Sequence, residues 1–165
     1  MRKTLLKVGL TSAAVLLMSN SADAQTVNQN LNVTLTIASR AQLTLSTNNL
    51  VIPDGDPATV PSLDAPALTV NVGARTASVQ PITLTVLAGG PLTGTGGTIA
   101  INNLTWTAGG TGFVGGISNA TVAQSLGTWN GSGLYTGTQN YSLPNSWAYG
   151  PGNYATSVTY TLVVP

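Results

Sequence analysis

Asp54 and Asp56 stand two apart in Pro53-Asp54-Gly55-Asp56-Pro57 and make the one carboxylate cluster of the sequence. Two side-chain oxygens at that spacing are the beginning of a Ca²⁺ loop, or of the acid and base that cleave a glycosidic bond. Each chemistry asks for more than is here. A calcium loop of the helix–loop–helix kind needs further acidic ligands, and the sequence lacks them at that spacing. A catalytic carboxylic acid needs a buried setting that raises its pKa. Proline fixes φ, glycine accepts positive φ and aspartate bonds its own backbone, so this run reads as an exposed turn. No catalytic residue, cofactor site or metal site is assigned, and the chain is read as no enzyme.

A second chemistry belongs to the aromatics. Trp106, Trp129 and Trp147, with Tyr135, Tyr141 and Tyr149, stand among Thr, Asn and Gly. Exposed rings with neutral polar neighbours can stack on sugars, whereas rings inside a β-sandwich fill its core. A monomeric extracellular carbohydrate-binding or adhesion module is therefore kept as the alternative reading.

Other classes fall away on composition. Beyond residue 24 the sequence has no Lys, Glu, His or Cys, and its charges are Arg40, Arg75, Asp54, Asp56 and Asp64, a net −1. Two arginines cannot displace the counterions of a nucleic acid. Zinc sites need His or Cys, and a Ser-His or Cys-His nucleophile needs its base. Without disulfides, the domain must be held by its core and its ladders.

The elements that position these residues begin after Met1–Ala24, which reads as a secretory signal peptide. Arg2, Lys3 and Lys7 form a basic start, Val8 to Met18 a short apolar run, and Ala22-Asp23-Ala24 a cleavage site of small residues. The run is too short for a bilayer core of about 30 Å. The mature chain from Gln25 is expected to be secreted and not membrane-spanning.

From Asn28 to Ala38 the chain alternates strictly: Leu31, Val33, Leu35 and Ile37 on one face, Asn and Thr on the other. A period of two predicts an extended strand with one apolar face. Burying four such side chains is worth roughly 6–12 kcal/mol before ordering costs. An unpaired strand of this kind is an aggregation hazard, so a partner is expected. It is either the first strand of its own domain or a strand given to another molecule.

The same alternation recurs in Gln42–Ser46, Leu68–Val72, around Ile82, Leu84 and Val86, and in the last strand, where Tyr154, Val158, Tyr160, Leu162 and Val164 share a face. Thr98–Thr107 reads as a strand with a break at Asn102-Asn103, Ala120–Leu126 as a strand, and Gly127–Gly137 as a loop. About seven to nine short strands between Gly, Pro and Asn turns predict an all-β sandwich, with a closed barrel as the lesser alternative. The expected organisation is a signal peptide over 1–24, an N-terminal strand over 25–38 and a sandwich over 39–165.

With both ends described, the chain resembles the pilin-like subunits of chaperone–usher fimbriae and the spore coat protein U domains. The resemblance rests on the signal peptide, the alternating Leu31–Ile37 segment, the small all-β domain and the terminal strand Gly152–Pro165, with Gly152 fourteenth from the end. It implies an immunoglobulin-like sandwich lacking a strand, whose groove takes the N-terminal segment of the next subunit by donor-strand exchange. Leu31, Val33, Leu35 and Ile37 would insert. Gly152, Tyr154, Val158, Tyr160, Leu162 and Val164 would belong to the acceptor strand. The implied partners are the chain itself, a periplasmic chaperone and an outer-membrane usher. The implied location is the extracellular space or the cell surface, reached through the bacterial periplasm. The chain departs from the pattern in having Val164 where a penultimate Tyr is common, and in lacking the family's disulfide.

Overall fold

The structure, a computed structural model, describes residues 26–165. The expected signal peptide, residues 1–24, lies outside them. Thr36–Pro165 form one compact unit. The strands are β1 (Arg40–Leu45), β2 (Ser62–Asp64), β3 (Leu68–Arg75), β4 (Ile82–Ala88), β5 (Leu92–Gly94), β6 (Gly97–Ile99), β7 (Thr105–Gly109), β8 (Gly116–Ile117), β9 (Gln124–Trp129), β10 (Gly133–Pro144), β11 (Tyr154–Ala155) and β12 (Val158–Val163). No α-helix occurs among the described residues, and none of their helices is long and apolar enough to cross a membrane. The fold is an all-β sandwich, with the expected short strands supplemented by two-residue pieces.

One layer has the order β1-β3-β10-β7-β8, with β2 paired to the end of β10. The other is made of two antiparallel sheets, β12-β4-β9 and β11-β5-β6. They run on end to end, because β4 leads into β5 and β11 into β12. The Gly89 N–H donates to the Ser157 carbonyl at 2.8 Å across the joint. Alternation decides which side chains meet between the layers. Leu68, Val70, Val72 and Ala74 are buried along β3, and Ile82, Leu84, Val86 and Ala88 along β4. Their outward neighbours are mostly Thr and Asn.

One expectation fails for a physical reason. Gly127–Gly137, read as a loop, supplies the end of β9 and the start of β10, the longest strand and the centre of its sheet. Its glycines are seats for rings. A Cβ at Gly137 would fall on Phe113, and one at Gly127 on Trp129. The apolar volume at these glycines is supplied by rings at other positions, Phe113 from the β7–β8 connection and Trp129 from two residues along β9, so the local sequence looks like loop. Thr98–Thr107 is broken as expected, into β6, one 3-10 turn at Ile101–Asn103, and β7. β9 bulges between its pairings with Leu84 and Thr85, which leaves Leu126 and Gly127 buried in succession.

The core hierarchy gives a direct test. Leu84 is fully buried between the layers, whereas Leu134 is 87% exposed. Leu84→Ala should cost about 2–5 kcal/mol in urea unfolding, and Leu134→Ala less than about 0.5 kcal/mol.

Candidate functional site

The two sides of the sandwich are finished differently. On one side the layers are stitched together. Phe113 bridges to Gly127, the Val114 N–H donates to the Leu126 carbonyl at 2.9 Å, and the Thr128 N–H donates to the Gly112 carbonyl at 3.0 Å. On the other side lie β1 and β12, each the last strand of its sheet. They approach one another, yet no ladder joins them among the described residues. This second side is open.

The chain directions there follow from three contacts. β1 starts at Arg40, paired with Arg75, and the chain runs from it toward Gly55. The Gly55 carbonyl accepts from Asn145 Nδ2 at 2.9 Å, just past the end of β10. The last strand runs the opposite way, from Tyr154 to Pro165, whose carbonyl accepts from Thr76 Oγ1 beside Arg75. β1 and β12 are thus antiparallel walls of one open edge.

Their inward rows are only half-buried. Leu43 and Leu45 on β1, and Tyr154, Val158, Tyr160, Leu162 and Val164 on the last strand, all pack partly against the core. In β3 and β4 the equivalent rows are closed. Toward Gly152 the walls part, and a cleft of about 880 Å³ opens between Asn49–Pro57 and Asn145–Thr156. Its floor is apolar core: Leu63, Leu92, Ile99, Leu104, Tyr141 and Leu143. Gly152 belongs to the rim, where a Cβ would strike Thr95 and the backbone of Gly96. Gly152 therefore lets the rim lie on the β5–β6 turn.

The alternating segment forms no ladder within the one copy described. No strand forms over residues 26–39, and Leu31, Val33, Leu35 and Ile37 are 61–86% exposed. A ladder needs a neighbour, and none of the described strands pairs with this segment. Only Ala38 and Ser39 separate Ile37 from β1. A two-residue hairpin onto β1 would favour Asn-Gly or a similar pair with positive φ, which Ala-Ser does not offer.

A polar cluster sits inside the open edge, unannounced by any sequence pattern. The Tyr160 hydroxyl donates to Gln139 Oε1 at 2.6 Å and lies 3.0 Å from the Tyr141 hydroxyl. It ties β12 to β10 across the core. Gln139 is fully buried and its Nε2 has no partner. Burial pushes the phenols of Tyr141 and Tyr160 above the ordinary tyrosine value, and for Tyr160 the neighbouring Tyr141 adds to the rise.

The remaining candidate chemistry sorts itself by burial. Trp106 and Trp129 are core residues whose indole N–H groups donate to the Val114 and Thr111 carbonyls at 3.0 and 2.8 Å. Phe113 and Tyr135 pack against Trp129, at centroid distances of 4.9 and 5.0 Å. Trp147 alone of the tryptophans stands free, 76% exposed, on the mouth of the cleft. Asp54 and Asp56 are exposed and accept from the Gly55 and Ala58 N–H groups of their own turn, at 2.8 and 2.9 Å. No group of three metal-ligating side chains is found among the described residues.

Compared with family models, curated proteins and solved structures, the chain matches none.

The tyrosine cluster predicts an alkaline weakness. An unfolded chain begins to release tyrosine protons near pH 10, while the folded chain holds those of Tyr141 and Tyr160. Stability should be complete below about pH 10 and fall as pH rises above it. Tyr160→Phe should cost about 1–3 kcal/mol at neutral pH, because the buried Gln139 amide then loses the donor to its oxygen. It should also flatten the alkaline fall in a series of urea titrations.

Proposed function

We propose that this protein is a secreted structural subunit that assembles into an extracellular fibre or surface coat by sharing β-strands between copies. The observation that carries the reading is the open edge: two antiparallel edge strands, each paired on one side only, with half-buried apolar rows beside a cleft that reaches core leucines. The same chain carries a segment of the right pattern with no strand partner of its own. Tyr154 to Val163 is ten residues, or about 33 Å of extended wall. The alternating stretch Asn28–Ala38 is eleven. Ladder hydrogen bonds would supply affinity, and the alternate rows would supply register. The reading accords with the pilin resemblance, including export through a periplasm and handling by a chaperone and usher.

A second reading keeps one observation in its favour, the free Trp147 at the cleft mouth beside Tyr149 and Asn145. In that case the protein is a monomeric module for neutral surface sugars.

The two part on simple variants of the full chain. Under strand sharing, protein from the native surface gives a ladder of multiples on an unheated denaturing gel and one band after boiling. Deleting residues 25–38, or placing charge in the apolar row by Leu31→Asp with Leu35→Asp, removes the ladder. Trp147→Ala leaves it. Under sugar binding, a monomer runs in both lanes and Trp147→Ala abolishes retention on a polysaccharide column.

A further inference from the structure

The five charged side chains beyond residue 25 are not scattered. Arg40 and Arg75 are direct cross-strand partners in the β1–β3 ladder, both exposed. Like charges placed opposite one another on a sheet repel. This chain puts the only two basic side chains beyond residue 25 in that relation, beside Gly133 at the start of β10. The three aspartates are at the other end. Asp64 pairs with Ser142 near the end of β10. Asp54 and Asp56 flank Gly55, which is held by Asn145 just beyond it. Ser142 lies nine positions along β10 from Gly133, which sets the two groups roughly 30 Å apart.

We infer that these are the two faces of a contact between copies, in which the arginine end of one sandwich docks on the aspartate end of the next. The inference rests on the strand-sharing reading and adds to it a second, electrostatic surface. Three observations meet in it. The charges are complementary in sign and each group is exposed. Everything between them is uncharged, so nothing competes for either group. Finally, the exposed alternating segment leads straight into Arg40, while Asp54 lines the cleft. A segment that leaves one copy beside its arginines and enters the cleft of another arrives beside that copy's aspartates. Laid antiparallel to β12, it would place Ile37 near Tyr154 and Leu31 toward Pro165. Pro165 also lies at the arginine end, through Thr76. Were the chain to end there, its carboxylate would reduce the positive charge of that face without reversing it.

The consequence is kinetic. Exposed pairs of opposite sign add little to the stability of a contact but steer approach and orientation. Assembly of the full mature chain should slow by about tenfold between low salt, about 0.01 M, and about 1 M, where the Debye length falls to about 3 Å. Arg40→Gln with Arg75→Gln should slow low-salt assembly by a similar factor. So should Asp54→Asn with Asp56→Asn and Asp64→Asn, in which asparagine keeps the turn hydrogen bonds. Combining all five substitutions should add nothing to either set, because each set removes the same interaction. Rates are read from the growth of boiling-sensitive multiples, with circular dichroism melting to check that every variant folds. Folded variants that assemble at the wild-type rate, or two sets whose effects multiply, overturn the inference and leave strand sharing standing. Wild-type chain that forms no multiples at any salt overturns both.

Discussion

A β-sandwich is held by one requirement, that every inward row of side chains be covered and every strand that bounds it be paired or sealed. Most of this molecule meets it. The central rows of β3 and β4 are closed, and one side is stitched by the bridge from Phe113 to Gly127. The other side is left with two bare edges and an apolar floor. The candidate site is this less covered side of the sandwich.

Much of this was legible in the chain. Strands with clean alternation, such as Leu68–Arg75, Ile82–Ala88 and Val158–Val163, stand where a period of two puts them. β10 was hidden because its inward positions are Gly133, Tyr135, Gly137, Gln139, Tyr141 and Leu143. Two of these are glycines under rings, and one is a buried amide whose oxygen is satisfied by a tyrosine from the opposite layer. Such positions are apolar only in the context of the fold. The terminal strand's half-buried row could be named from sequence. The cleft, the sealed opposite side and the segregation of charge could not, since each depends on which distant strands become neighbours. Of the three tryptophans, spacing gave no means of telling the two core rings from Trp147.

The buried trio of Gln139, Tyr141 and Tyr160 belongs to the same balance. It fastens the outermost strand to the centre of the facing sheet where no ladder reaches. On its outer side β12 meets the facing sheet through side chains, so the backbone groups of that edge stay free of any ladder among the described residues.

The Arg40–Arg75 pair has one more effect. Proteases of the trypsin kind cut after Lys or Arg, and beyond residue 25 only these two bonds qualify. Arg40 opens a paired strand, and the Thr76 N–H that follows Arg75 is held by Ser132 Oγ at 3.0 Å. The chain also has no Met, Cys or His past that point to oxidise or to bind stray metal. Past residue 25, cleavage of the trypsin kind is thus confined to two bonds that the ladder or a side chain holds.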